Sequence, residues 1–211
     1  MNTNVQQAYN EWSIQYDTNI NKTRDLEAHV IREQLSGIDK VSILEIGCGT
    51  GKNSEWLVNR ASKLVGVDLS PKMLSKARGK VTADHAAFIE ADINTNWSFA
   101  EDNSFDLITF SLVLEHIQNL DYIFQQTTSK LKNGGIIYIG ELHPFKQYAG
   151  SKARFETEKG LQIVNCYTHH ISDFVSAATK HGLVLKHINE YFDDGDKKQL
   201  PRILALIFRR D

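Results

Sequence analysis

Cysteine is scarce in this chain. Its 211 residues include only Cys48 and Cys166, far apart and outside any C-x-x-C or Cys/His spacing, so neither a disulfide framework nor a structural zinc site is indicated. A reducing compartment fits that usage. An excess of one charge is also missing. The 24 Lys+Arg against 26 Asp+Glu leave a formal net charge of −2, without the surplus of cations that sequence-independent attraction to nucleic acid requires. DNA and RNA are therefore not expected as partners. No apolar run reaches the roughly 18–20 residues that span a bilayer, and the polar start MNTNVQQAYNEW has no apolar signal core. The expectation is a cytoplasmic protein without a membrane partner. Repeats and low-complexity tracts are lacking too, which leaves a solenoid nothing to rest on.

What is present is enough for one sizeable core: 41% hydrophobic and 24% charged residues suit a single domain over 1–211. Short β-branched runs at Val41–Gly47, Lys63–Leu69, Ala86–Asp92, Phe105–Val113 and Gly135–Leu142 read as strands. Helical stretches lie between them at Gly51–Ser62, Pro71–Gly79 and Leu120–Leu131. Alternation of this kind predicts an α/β fold, and the nearly continuous apolar character of the early strands predicts a parallel sheet covered on both faces. Ser172–Gly182 reads as a further helix. Leu183–Phe192 and Arg202–Arg209, joined by DDGDKKQLP, read as an antiparallel hairpin closing the sheet edge. Thr23–Gly37, with Leu26, Val30, Ile31 and Leu35 at helical spacing, is a candidate cover helix.

Glycines crowd the junction after the first strand, in Leu44-Glu45-Ile46-Gly47-Cys48-Gly49-Thr50-Gly51-Lys52. A P-loop would need glycine where Ile46 stands and a hydroxyl where Asn53 stands. A dinucleotide fingerprint would need its third glycine at Lys52. An acidic residue followed by G-x-G-x-G remains. In that form the segment resembles the first motif of the class I S-adenosylmethionine-dependent methyltransferases. Leu64-Val65-Gly66-Val67-Asp68-Leu69-Ser70 with Met73 is similar to the family's second motif, and Phe88-Ile89-Glu90-Ala91-Asp92-Ile93 to its third. Phe105–Ile108 running into Ser111-Leu112-Val113-Leu114-Glu115-His116 resembles the fourth strand and post-strand motif. Leu131–Gly135 resembles the turn before the fifth strand.

The resemblance implies a Rossmann-like, mostly parallel seven-stranded sheet with a C-terminal antiparallel hairpin, and S-adenosyl-L-methionine as cofactor with S-adenosyl-L-homocysteine as product. It implies cofactor contacts from Glu45, Gly47, Cys48, Gly49, Gly51, Asp68, Leu69, Met73, Asp92, Ile93, Ser111 and Leu112. In those roles Asp68 would hold the ribose hydroxyls and Asp92 the adenine amino group. Residues 1–37 resemble the N-terminal lid and cover helix of small-molecule methyltransferases. There Tyr16 would pack on the cofactor, while Arg24 would make a bidentate contact to its carboxylate.

Residues 143–167 are the expected substrate-cap insertion. Methyl transfer from a sulfonium requires positioning more than acid–base chemistry. For a weakly acidic hydroxyl acceptor, His116 and His143, just beyond the fourth and fifth strands, are the candidate bases. No metal is called for. A small-molecule substrate and a monomer or homodimer are expected. Two alternatives stay open, a catalytically silent cofactor-binding regulator and a nucleotide-dependent oxidoreductase.

Overall fold

The computed structural model describes residues 3–157 and 160–211. Helix α1 (Thr3–Trp12) carries Val5, Tyr9 and Trp12 at i, i+4 and i+7, which puts all three on one face. Helix α2 (Lys22–Gln34) begins where the Asn21 side chain accepts from the amides of Thr23 and Arg24 at 3.1 and 3.0 Å. Then come β1 (Val41–Ile46), the short α3 (Ser54–Leu57), β2 (Ala61–Asp68), α4 (Pro71–Lys80), β3 (Ala86–Glu90) and β4 (Phe105–Ser111). They are followed by α5 (Leu120–Lys130), β5 (Leu131–Leu142), α6 (Pro144–Tyr148), β6 (Arg154–Thr157), β7 (Gly160–Ile163), α7 (Ile171–Lys180), β8 (Leu183–Tyr191) and β9 (Ile203–Arg210).

Seven strands form one sheet in the order β3-β2-β1-β4-β5-β9-β8. The first five run parallel, and β9 and β8 pair antiparallel, as the hairpin reading anticipated. One face is covered by α5 and α7, through Leu120, Ile123, Phe124, Phe174 and Ala178. The other is covered by α2 and α3, through Val30, Ile31, Leu35 and Leu57. Burial of this apolar surface, at roughly 25 cal/mol per Å², is the main term holding the layers together.

Two expectations are revised. The helix read over Gly51–Ser62 is only α3 plus one 3-10 turn at Val58–Arg60, because Ala61 is already extended at φ −96, ψ 140 and belongs to β2. Residues 143–167, expected as an insertion to which the sequence assigned no strand, contain a second, two-stranded sheet, β6 with β7. Its buried Phe155 stacks on Trp12 of α1, with ring centroids 5.0 Å apart and planes 10° from parallel.

Because β1 and β2 are adjacent and parallel, the turn after β1 and the end of β2 meet at the same sheet edge. The amides of Gly47 and Cys48 both donate to the Val67 carbonyl, at 2.8 and 3.0 Å. Gly47, Gly49 and Gly51 all have left-handed φ. Gly51 (φ +81) is also packed against α4: a Cβ there would lie 3.0 Å from Ala77 Cα, whereas one at Gly49 (φ +54) would meet nothing within 4 Å. Gly49→Ala should therefore cost only the backbone strain of about 1–2 kcal/mol, and Gly51→Ala should cost more. Urea midpoints of the two variants check this, and equal losses would contradict the packing argument.

Candidate functional site

Three cavities meet at the carboxyl ends of β1, β2 and β4, where parallel sheets of this kind bind ligands. The first, about 690 Å³, runs over Gly47 and Gly49, past Asp68 and Leu69, to Asp92 and Ile93. Its far wall is Ser111, Leu112 and His116, and α1 roofs it with Val5, Gln6 and Tyr9. The second, about 980 Å³, lies between the lid and the β6–β7 hairpin. A third, about 380 Å³, lies under the glycine turn and is lined by Arg24, Glu27, Glu45, Cys48 and Asn53. Tyr16 and Leu112 border all three.

Leu112 sits at this junction with φ +54, its amide donating to the Gly140 carbonyl at 2.8 Å. A branched residue in that region is held against its own preference at a cost of order 1–3 kcal/mol. The restraint comes from Glu141 on β5, whose carboxyl accepts from the next two amides, Val113 at 3.0 Å and Leu114 at 2.8 Å.

Asp68 ends β2. Its Oδ2 accepts from Gly49 N at 2.9 Å and its Oδ1 from Ser70 N at 2.8 Å, which leaves acceptor capacity on both oxygens for the cavity. Burial pushes its carboxyl up to about 6, against the pull of those two amides. Glu45 and Glu141 are pushed up to about 8 by burial, and Glu27 is raised by the same cause. Glu45 still accepts from the Ser54 hydroxyl, and Glu27 from Asn53 at 3.0 Å and Tyr138 at 3.1 Å.

The lid is latched at several points. Gln6 donates to the Leu69 carbonyl at 2.8 Å, and Ser70 to the Asn10 side chain at 2.7 Å. Asp17 accepts from Thr50 at 2.6 Å and pairs with Lys80 at 2.8 Å. Tyr9 reaches across to His116. His116 Nδ1 lies 2.8 Å from the Asn165 carbonyl, which can only accept, so in the neutral ring Nδ1 holds the proton. Nε2 then presents its lone pair to the Tyr9 hydroxyl at 2.8 Å. Burial raises Tyr9 well above its ordinary value, so it remains a donor.

Of the residues singled out from sequence, Tyr16, Gly47, Gly49, Asp68, Leu69, Asp92, Ile93, Ser111, Leu112 and His116 line the first cavity, and Arg24, Glu45 and Cys48 the third. Gly51, Met73 and His143 line none of the three. Gly51 abuts α4, and Met73 is buried beneath the lid with Val5, Trp12 and Phe155. His143 is fully buried and starts α6: its Nδ1 accepts from the Phe145 amide at 3.2 Å, so its Nε2 donates to Glu190 at 3.0 Å. Burial lowers its basicity, partly offset by Glu190. Arg24 directs its guanidinium at the Tyr16 and Asn19 carbonyls and lies over the Tyr16 ring, 5.0 Å from the centroid.

Among the lining residues that the sequence reading did not nominate are Tyr9, Glu27 and Glu115. Tyr9 was readable from the Val5/Tyr9/Trp12 face, and Glu27 from a carboxylate standing on the apolar stripe of Val30 and Ile31. Glu115, buried on the wall of the second cavity with Oε2 unpartnered, had no such signal. Its Oε1 lies 3.9 Å from His116 Nε2, and the Cys166 thiol beside them is pushed up to about 12 by burial. These three groups approach within 4.8 Å of one another, but His116 has already committed Nδ1 to Asn165.

Comparison with known proteins places this geometry in context. A family model described as a methyltransferase domain matches residues 44–139. The ubiquinone biosynthesis O-methyltransferase of Hydrogenovibrio crunogenus is 28% identical over 180 residues, covering 79% of this chain and 71% of that protein. An S-adenosylmethionine-dependent methyltransferase from Mesorhizobium loti superposes with a TM-score of 0.72 at 21% identity, over 86% of this chain and 96% of that one. The N-methyltransferase NodS from Bradyrhizobium japonicum, in complex with S-adenosyl-L-homocysteine, superposes with a TM-score of 0.71 at 18% identity, over 98% of each chain. Both structural likenesses are of fold.

Two predictions follow from the buried acids. An ionised Asp68 can accept from two ligand hydroxyls at once, whereas protonation turns one oxygen into a donor, so if Asp68 holds the ligand, S-adenosylhomocysteine affinity should hold above pH 6 and fall by up to about tenfold per unit below it. Calorimetry of Asp68→Asn should show weak binding without that pH dependence; an unchanged profile would remove Asp68 from the site. Glu45 and Glu141 have folded values of about 8 against an ordinary 4.5. The folded state therefore binds the extra protons between those pH values, and stability of the ligand-free protein should fall as pH rises through that window. The limiting slope is about 1.4 kcal/mol per pH unit per proton. Glu45→Gln should flatten it, as read from denaturant titrations at several pH values.

Proposed function

We propose that the chain is a class I S-adenosylmethionine-dependent methyltransferase, as the family model and the relatives it resembles support, and that it methylates a hydroxyl of a small molecule held in the second cavity. The observation that carries this reading is the meeting of the first two cavities at Tyr9, Tyr16 and Leu112, so that two different occupants would touch there. The O-methyltransferase relative supports oxygen as the atom methylated.

The residues present suit the cofactor. Open space beside Gly49, where a Cβ would meet nothing, accommodates close backbone approach, and Asp68 keeps one free acceptor site on each oxygen for a pair of ribose hydroxyls. Asp92 and Ile93 would border the base. Arg24, Glu27 and Glu45, around the third cavity, would face the amino-acid end. When bound, S-adenosylmethionine supplies an electrophilic methyl group on a sulfonium.

The chain's own contribution is orientation and disposal of a proton. The proton lost by the acceptor hydroxyl would pass to the Tyr9 oxygen while Tyr9 hands its own to His116 Nε2, 2.8 Å away. Tyr9 suits this relay because it borders the second cavity, whereas His116 borders only the first. Asn165 fixes the tautomer that leaves Nε2 free to receive. The hairpin and the lid helix, joined by the Trp12–Phe155 stack, form the cap that encloses the acceptor. We assign the enzyme to the cytoplasm on its cysteine usage.

The test is labelled-methyl turnover on a metabolite pool, read by mass shift, followed by a double-mutant cycle on the acceptor found. His116→Ala and Tyr9→Phe should each lower turnover by roughly 10²–10⁴, and the double variant should lose little more than the worse single, because one relay is broken in every case. S-Adenosylhomocysteine affinity should change little. Additive losses would mean that the two residues act separately.

A further inference from the structure

The second cavity has a charge balance unlike that of the chain. Five cationic residues line it, Lys22, Arg24, Lys152, Arg154 and Arg202, against the single carboxylate of Glu115, in a protein whose formal net charge is −2. The five divide into two sets. Arg24 is pinned by backbone carbonyls and Asp25, and Arg202 by Asp193, with Nη2 to Oδ2 at 2.6 Å, and by Thr23 at 3.0 Å. Lys22, Lys152 and Arg154 are exposed and have no carboxylate within ion-pair distance among the described residues.

Unpaired cations grouped at the mouth of a concave site raise the local concentration of anions and orient them. Deeper in the same cavity Glu115 is 7% exposed, and its Oε2 has no nitrogen or oxygen donor among the described residues, with the Cys166 thiol, a weak donor, beside it, so it asks for a stronger one. Anion at the mouth and donor at depth describe the two ends of one molecule.

We propose that the methyl acceptor carries a compact anionic group, a carboxylate or a phosphate-type head, held by Lys152, Arg154 and Lys22, with two donor groups directed inward, the reacting hydroxyl to Tyr9 and a second donor to Glu115. This rests on the methyl-transfer reading above and adds the substrate class. A carboxylate and a phosphate share the chemistry that Lys and Arg recognise, so the test separates them.

The full-length protein saturated with S-adenosylhomocysteine is titrated with malonate, methylphosphonate and glycerol. At least one anion should bind and glycerol should not, and the anion that binds more tightly identifies the head group. Lys152→Gln/Arg154→Gln should weaken that anion by roughly 10- to 100-fold, with S-adenosylhomocysteine affinity and thermal midpoint unchanged, since neither side chain has a hydrogen-bond or ion-pair partner among the described residues. In parallel, labelled methyl transfer is run on a metabolite extract split on an anion-exchange resin. Label in the retained fraction, with KM raised and kcat kept in the double variant, is the expected result.

Label confined to the flow-through, or a double variant with parental KM and parental anion affinity, would overturn the inference while leaving methyl transfer intact. No label in either fraction, with the anion still bound and lost in the double variant, would overturn the methyl-transfer reading and retain the anion site.

Discussion

The contact on which the site depends is the hydrogen bond from the Gly49 amide to Asp68 at 2.9 Å. It joins the turn after β1 to the end of β2, and it forms only because those strands are parallel neighbours in register, with Ile46 opposite Val67. Shifting the pair by one residue would turn Asp68 to the other face of the sheet. The same bond explains why glycine is required in the turn. Three left-handed positions in five residues bring the amides of Gly47, Cys48 and Gly49 around onto β2, and a run of ordinary residues would pay for each of them. Burial works against the arrangement by favouring a neutral Asp68, and the two amides work for it, so the carboxyl stands near 6 and is ionised at neutral pH.

The acids behind the turn follow the opposite logic. Glu45 and Glu141 lie deeper and are neutral at pH 7. They act as hydrogen-bonding struts, Glu45 toward Ser54 of α3 and Glu141 toward the amides that follow Leu112. A neutral strut suits a dry interior because it binds a neighbour without the cost of a buried charge. The chain thus keeps the ionised carboxylate of Asp68 facing the first cavity at the end of β2, with the uncharged Glu45 and Glu141 supporting its walls.

The sheet was legible in the sequence because parallel strands buried on both faces are apolar throughout, and each of Val41–Ile46, Ala61–Asp68 and Phe105–Ser111 has that signature over most of its length. Most of the residues nominated around the cavities were legible for a related reason: a motif at a strand end is positioned by the strand itself. What failed depended on contacts distant in sequence. His143 stands beyond a strand end as His116 does, yet Pro144 starts a helix there and turns the ring into a cap. Met73 lies on the helix after Asp68, but α1, which no motif in that region specifies, packs over it. The β6–β7 hairpin was illegible because its strands are four residues each and mostly exposed, so burial periodicity had nothing to act on.

Tyr9 and Tyr16 border both of the larger cavities, and this has an energetic consequence. The lid's latches to Leu69, Ser70 and Thr50 close the first cavity, and the stack of Trp12 on Phe155 closes the second. One rigid helix carries residues for both. A ligand that favours the closed lid from the first cavity therefore assembles a wall of the second before anything enters it, and by linkage an occupant of the second favours retention in the first by the same factor. Tyr9 ties the two cavities together chemically as well, because its hydroxyl meets His116 Nε2 on the wall of the first while the same residue borders the second.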